Sequence, residues 1–438
     1  MPRTSRSLKD RLDVYLGRSL VGVLVRGGGG DVSFTYDRDW QARADALPVS
    51  LSLPLQAKAH TGLAVAAYFD NLLPDSDAIR ARIALREGAA SDRPFDLLAA
   101  IGRDCIGALR FLPPGADPGD PTRMEADEVP VADIARRLRH LKSAPLGRER
   151  GDEGFRISIA GAQDKTAFLR LPSGAWAIPR GATPTSHIFK PPIGLTEGRV
   201  DLSDSVENEW LCLALCRALG LPVANATIER FEDITVLVVE RSDRRPVDGV
   251  LYRLPQEDLC QALGVPSSQK YEDRGGPGIA QILKLLARSD TPDQDRRNFL
   301  KAQMVFWLLS APDGHAKNFS IFLTPGGFRL TPLYDVMSAI PYGATSRAFD
   351  PARVKLAMAV GRNRHYRVRD IALRHWRQTA EAAGLAEGVV EEIIAELRAD
   401  LGATLQSLRP SLGHHVQADR VDRLFDHLAH NVKSLAFA

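Results

Sequence analysis

Four prolines fall among the eleven residues 112–122, LPPGADPGDPT. Proline fixes φ and donates no backbone hydrogen bond, so neither a helix nor a central strand can run through this stretch. The chain must therefore fold as parts that meet here. Upstream, residues 11–36 alternate apolar and polar positions around the run Gly27 to Gly30, the pattern of strands joined by a glycine turn. A phosphate loop would feed a helix N-terminus, whereas this run leads into the strand-like DVSFTYD. Helical spacing follows at 62–86. Downstream, FRISIAGAQDKTAFLRL, AWAIPR, SHIFKP and ITVLVVER mix strands with turns. One helix is expected from Asp204 and Ser205, where a capping residue with Glu207 three positions on precedes the apolar spacing of Trp210, Leu211, Leu213, Ala214 and Leu215. From Pro255 onward amphipathic helices are predicted at 279–288, 294–311, 370–383, 387–407 and 417–435, interrupted by a hairpin near 319–331. These patterns predict an α+β chain in three parts: a β-rich module over 1–112, a strand-rich lobe over 123–250 and a helical lobe over 251–438. No repeat at solenoid periods and no low-complexity tract occurs.

Composition narrows the function classes. With 44% hydrophobic and 25% charged residues over 438 positions, the chain can bury a sizeable core. Lys plus Arg number 57 against 54 Asp plus Glu, a net charge of +3, so affinity for polyanions cannot follow from overall charge. The four cysteines are too few for a disulfide framework, and the basic start lacks the apolar core of a secretory segment. The longest apolar stretch, near 304–309, is too short to span a bilayer. The expectation is a cytoplasmic protein with reduced thiols and no membrane partner.

The sharpest chemical signal is SAPDGHAKNFSIFL, in which Asp313 precedes Asn318 by five residues after a helix and before a strand. A second acid, Asp335, closes FRLTPLYD. Phosphoryl transfer from a nucleotide needs a carboxylate to orient the attacking hydroxyl, and an amide with a second carboxylate to hold magnesium against the phosphates. Asp313 fits the base or positioning group, and Asn318 and Asp335 fit the metal ligands. Taken singly, Asp313-Gly314 and Asn318 are ordinary turn residues. The order of the remaining parts favours a site. Lys190 ends an apolar strand in SHIFKPP, where a lysine reaches phosphates, and Gly161 sits in a small-residue turn whose backbone N–H groups could cover them. ITVLVV ends at Glu240, Arg241 and Ser242, where a hinge could meet an adenine edge.

The strings SIAGAQDKTA, SHIFKPP, NEWLCLALCRALGL, VVERSDRR, RLPQEDLCQALGVPSSQKYEDRGGPG, DGHAKNFSIF and LTPLYD, with NLLPD and CIGALRF upstream, resemble the HipA-type toxins, the serine/threonine-protein kinases of HipBA toxin-antitoxin modules. The resemblance spans nearly the whole chain. It implies a two-lobed, kinase-like fold related to phosphatidylinositol kinases, with a mostly helical C-lobe and an extra N-terminal β-rich module. It further implies use of ATP and Mg2+ to phosphorylate a protein, in this family an aminoacyl-tRNA synthetase, with translation arrest, persistence and restraint by a HipB-like helix-turn-helix antitoxin on operator DNA. Carried over by motif, the phosphate loop is Ala160, Gly161, Ala162, Gln163, Asp164 and Lys165, with Lys190 as the phosphate lysine and Glu240, Arg241 and Ser242 as the hinge. Asp313 is the catalytic aspartate, His315, Ala316, Lys317 and Asn318 line the nucleotide, and Tyr334 with Asp335 complete the metal side. Ser158 matches the autophosphorylated serine; a phosphate there carries nearly two negative charges and could not stay buried beside a triphosphate. Ser242 replaces an aromatic hinge residue of the family's best-known member, and Glu381 and Gly384 stand where that member contacts DNA through a lysine and an arginine.

Other candidates have plainer readings. His315 has no second His or Cys at ligand spacing. Cys212 and Cys216 lie among leucines as core thiols. Glu209 is expected to pair with Lys190, with Glu207 as its competitor. Six arginines between Arg362 and Arg377 form either a solvated face or, through Arg364 and Arg367, contacts to DNA phosphates. Two alternatives to a protein kinase remain: a non-catalytic corepressor acting with the antitoxin, and a kinase for a lipid head group or small molecule.

Overall fold

The computed structural model describes residues 8–141, 145–147, 157–161, 163–195, 200–342, 350, 352–411 and 418–434. Ala162, expected in the phosphate loop, lies outside the described residues. In the N-terminal module, strands β1 (Arg11–Leu16), β2 (Ser19–Arg26), β3 (Val32–Tyr36), β4 (His60–Thr61) and β5 (Leu109–Leu112) form an antiparallel sheet in the order β4-β3-β2-β1-β5. The glycine run is the β2–β3 turn, closed by a Gly30 N–H to Gly27 carbonyl bond of 3.0 Å. Helices α1 (Leu63–Asp70), α2 (Asp77–Glu87) and α3 (Pro94–Ile101) complete the module. Phe69 of α1 sits between Phe34 and Phe111 of the sheet, with ring centroids 5.8 and 5.7 Å away. The helical spacing expected over 62–86 resolves into two helices, α1 and α2. Pro74 cannot continue α1, and Ser76 starts α2 afresh by accepting from the Ile79 N–H at 3.4 Å.

The strand-rich lobe is an antiparallel sheet of β6 (Ala126–Glu128), β7 (Thr166–Arg170), β8 (Trp176–Pro179), β9 (His187–Lys190), β10 (Ala226–Phe231) and β11 (Ile234–Glu240), ordered β10-β11-β9-β7-β8-β6. Strand alternation sends Phe168, Trp176, Phe189 and Phe231 to one face, against Ile134 and Leu138 of α4 (Val131–Arg139). The same alternation sends Ile188 and Lys190 to the other.

Helix α5 (Ser205–Ala218) forms as predicted, but the capping box does not. Asp204 has φ −105° and ψ 19°, outside the extended geometry a cap needs, and makes no side-chain cap bond. Its carboxylate pairs with Arg420 instead. Although placed with the strand-rich lobe by sequence, α5 buries Leu211, Cys212, Leu215 and Cys216 in the core of the helical lobe. Both cysteines are fully buried.

The helical lobe follows a hairpin of β12 (Arg244–Val247) and β13 (Val250–Arg253). It contains the sheet β14 (Gln256–Asp258), β15 (Ser320–Thr324) and β16 (Gly327–Leu330), and the hairpin β17 (Lys355–Val360) with β18 (His365–Arg367), which the sequence patterns did not suggest. Around them lie α6 (Leu259–Leu263), α7 (Ile279–Leu286), α8 (Pro292–Leu309), α9 (Leu373–Ala382), α10 (Val389–Ser411) and α11 (Ala418–Ser434). Among the described residues no helix is long and apolar enough to cross a membrane.

The N-terminal module is packed onto both lobes. Ser50 and Ser52 donate to the Gln261 carbonyl at 3.2 and 2.7 Å, and Gln261 donates to the Tyr68 carbonyl at 3.0 Å. Glu257, fully buried at this seam, accepts from the Leu51 N–H at 2.9 Å. Burial pushes its carboxyl up to about 8. A carboxyl that binds its proton more tightly when folded contributes stability at low pH and loses it as pH rises from its unfolded value, near 4.3, through the folded one. Stability should fall between about pH 5 and 8 by at most roughly 1.4 kcal/mol per pH unit from this group. Glu257→Gln should flatten that slope; an unchanged pH profile of urea midpoints would refute the assignment.

Candidate active site

One cleft of about 290 Å³ opens between the two lobes and the N-terminal module. Ile188 pairs with Val239 across β9 and β11, and both line the cleft as an apolar shelf. Lys190, two residues along β9 on the same face, turns its Nζ into the cleft and donates to Glu209 Oε1 of α5 at 2.7 Å and to Asp335 Oδ1 at 2.9 Å. Glu209, not Glu207, is thus the helix partner. Burial alone would strip charge from Lys190, but Asp335 and Glu209 outweigh it and hold the ammonium protonated well above the usual lysine range. Burial likewise opposes ionisation of Asp335, and Lys190 and Lys165 override it, so the carboxylate stays charged well below its ordinary value.

The Asp313 loop is set by the end of α8. Ser310 caps that helix in a left-handed conformation, φ 52°, and the chain turns back so closely that a side chain at Gly314 would strike the Phe306 ring at 2.4 Å. Asn318 Nδ2 donates to the Asp313 carbonyl at 2.7 Å, which fixes the amide and leaves its Oδ1 as the acceptor. The Asp313 carboxylate accepts a short hydrogen bond from the Tyr271 hydroxyl and has His315 Nε2 3.6 Å away. His315 is 2% exposed, burial lowers its pKa, and among the described residues its buried Nδ1 has no hydrogen-bond partner. Tyr334 braces the loop by donating to the Lys317 carbonyl at 3.0 Å and sharing a 2.5 Å bond with Ser320. Next to it Asp335 adopts φ 60°, a strained conformation that persists where surrounding bonds fix it.

Gly161 has φ 117°, and a side chain there would meet Lys165 Nζ at 2.4 Å. Lys165 donates to the Ala160 carbonyl at 2.8 Å, and burial beside Lys190 lowers its pKa to about 8. The loop is docked on the N-terminal module: Asp75 N–H donates to the Gly161 carbonyl and Ser158 N–H to the Asp104 carbonyl, both at 3.0 Å. Ser158 itself is fully buried, its hydroxyl donating to the Leu72 carbonyl at 2.7 Å.

Lys165, Lys190, Gln163, Ala160, Gly161, Asp313, His315, Lys317, Asn318, Tyr334 and Asp335 all line the cleft. Other expected site residues behave differently. Asp164 turns away to pair with Arg82 of α2 at 2.8 Å, because the N-terminal module presents a cation there. Ala316 packs into the helical-lobe core. At the hinge, Glu240, Arg241 and Ser242 also line the cleft, and the Glu240 and Arg241 N–H groups are taken by the carbonyls of Asn225 and Ser186. The Arg241 guanidinium is fully buried and bonds Asp104, Asp243, Thr185 and the Cys105 carbonyl, which makes it a fastening to the N-terminal module. Arg364 lies on the β17–β18 turn, beside Glu272 at 3.3 Å and Tyr366 at 2.8 Å, and Arg367 is exposed at the end of β18. Arg362 pairs with Glu381 at 2.8 Å, so this face carries its own acids. Sequence reasoning gave no role to Asp75, Lys270 or Tyr271, although NLLPD and SSQKYEDRGGPG contain them.

Among the described residues no group of three or more His, Cys, Asp or Glu side chains could hold a metal. The oxygens of Asp335 and Asn318 nevertheless fit magnesium, which is commonly held by one or two protein ligands plus substrate phosphates.

Comparison with known proteins places this arrangement. Residues 12–112 match the HipA N-terminal domain family and residues 157–405 the HipA-like C-terminal domain family. The kinase-named protein Y4mE of Sinorhizobium fredii is 34% identical over 379 residues, 85% of this chain and 86% of that one. The serine/threonine-protein kinase toxin HipA of Shewanella oneidensis is 29% identical over 345 residues, 76% of each chain. A solved complex of Shewanella oneidensis HipA, HipB and operator DNA superposes with TM-score 0.78 at 24% identity, covering 97% of both chains, and shares the fold. The chain therefore belongs to the HipA family, whose members include a named kinase toxin.

Proposed function

We propose that this chain is an ATP-dependent protein serine/threonine kinase and the toxin of a two-component toxin-antitoxin system. The observation that carries the reading is the Lys190–Glu209–Asp335 cluster facing Asp313 and Asn318 across one cleft. Adenine would lie on the Ile188–Val239 shelf against Ser242, with its phosphates toward Lys190 and Lys165. Asn318 and Asp335 would hold the magnesium, which when bound neutralises charge between the phosphates. Asp313 orients the acceptor serine hydroxyl and takes its proton as the serine oxygen bonds the γ-phosphorus and the bond from that phosphorus to the departing ADP breaks.

The acceptor is a protein, of aminoacyl-tRNA synthetase class by family resemblance, and a HipB-like antitoxin on operator DNA is the restraining partner. Ser158 is the self-modification site. Its hydroxyl is sealed against Leu72, so the docked loop must first leave the N-terminal module, and a phosphorylated serine could not return to that dry position.

The direct test is transfer from γ-labelled ATP with Mg2+, read on the chain and mapped to Ser158. Lys190→Met should reduce the rate at least about a hundredfold, since a cation fixed against transferring phosphate is lost. No label on the unsubstituted chain would remove the kinase reading and leave a corepressor.

A further inference from the structure

Three acidic or amide side chains at the end of α1 and just beyond it reach into the helical lobe. Asp70 accepts from Ser267 Oγ at 2.6 Å, Asn71 Nδ2 donates to the Val265 carbonyl at 3.0 Å, and Asp75 accepts from both Lys270 and Lys317 at 2.8 Å. Lys317 also donates to the Asn71 carbonyl at 3.3 Å. Asp75 is largely buried, and although burial disfavours its charge, Lys317 and Lys270 hold it ionised well below the ordinary carboxylate range.

Each lysine continues into the reaction centre. Lys317 lies between His315 and Asn318, and its carbonyl receives the Tyr334 hydroxyl next to Asp335. Lys270 receives the Ala316 N–H on its carbonyl at 3.3 Å and precedes Tyr271, whose hydroxyl holds Asp313. Two segments, one carrying Lys270 and Tyr271 and the other the Asp313–Asn318 loop, thus hang from one carboxylate that the kinase lobes do not supply. We infer that Asp75 is a positioning residue of phosphoryl transfer: bridging Lys270 and Lys317, it fixes Asp313 and Asn318 in their working geometry and makes the N-terminal module part of the reaction centre. The inference rests on the kinase reading above.

The experiment uses the full chain with γ-labelled ATP and Mg2+, varying ATP. For Asp75→Asn, kcat should drop roughly ten- to a hundredfold with KM for ATP unchanged, because misplacement of the base costs rate without costing ground-state binding. Asp75→Glu should recover most of the loss. Rates are corrected for the native fraction, taken from thermal melts at the assay temperature. Because Asp75→Asn removes the carboxylate that Lys270 and Lys317 share and leaves Lys317 the nearby charge of Asp258, Asp75→Asn with Lys270→Met gives a second test in which one cation is removed; it should show the same kcat loss. Parental kcat in either variant, a loss explained by unfolded protein, or a rise in KM that accounts for the change would each overturn the inference. Absence of transfer by the unsubstituted chain would instead overturn the kinase reading.

Discussion

Asp313→Asn is expected to slow phosphoryl transfer roughly 10²–10⁴-fold, the range for removing a general base, while leaving the fold intact. The carboxylate side chain is 44% exposed, and its protein contacts are the Tyr271 hydroxyl and the nearby His315 ring. Asparagine keeps an oxygen for Tyr271, and the Asn318 amide bonds the main chain of residue 313, which the substitution does not touch. Stability should therefore change by no more than about 0.5 kcal/mol. Initial rates of labelled phosphate transfer, read beside urea midpoints, check both halves. A variant that transfers phosphate within tenfold of the parent would strip Asp313 of its role.

The second large effect concerns stability. Asp104, 4% exposed, joins the N-terminal module to the hinge. Its Oδ1 accepts from Arg244 at 2.8 Å and Arg253 at 3.0 Å, and its Oδ2 from Thr185 Oγ1 at 2.7 Å and Arg241 at 3.3 Å. Asp243 shares Arg241 and Arg244 and receives the Gly107 N–H. Asp104→Ala would leave three buried guanidinium groups with one carboxylate between them, and breaking a buried pair in this way costs about 3–5 kcal/mol. The urea midpoint should fall accordingly, and a change below about 1 kcal/mol would show that the network contributes little. Burial disfavours the Asp104 charge, but Arg244, Arg253 and Arg241 lower its pKa far below the ordinary value. Its contribution is thus complete above its unfolded value, near 3.9, and is lost as pH falls from there.

The elements of the cleft were legible because their signals are local. Alternation in SHIFKPP and ITVLVVER places Ile188, Lys190 and Val239 on one face, and the order Lys190, Asp313, Asn318, Asp335 is a linear fact about the chain. The hinge shows where that logic stops. Arg241 follows an apolar strand and lines the cleft where a hinge is expected, yet its guanidinium goes to Asp104, 137 positions earlier. Asp204 precedes a helix with Glu207 in register, yet its backbone angles leave capping geometry and its carboxylate meets Arg420. Asp164 lies in the phosphate-loop motif, yet Arg82 holds it outside the cleft.

The sequence by itself determined which chemical groups the chain carries, their order and the strands and helices that present them, since periodicity and turn chemistry depend on neighbours a few residues away. The tertiary structure alone decided which charge meets which: that Lys190 takes Glu209 and Asp335, that Arg241 serves a seam, and that Asp75 anchors two lysines of another lobe. The reason is desolvation. An exposed ion pair gains little and constrains nothing, whereas a buried charge must find its partner wherever packing places one, at any separation along the chain.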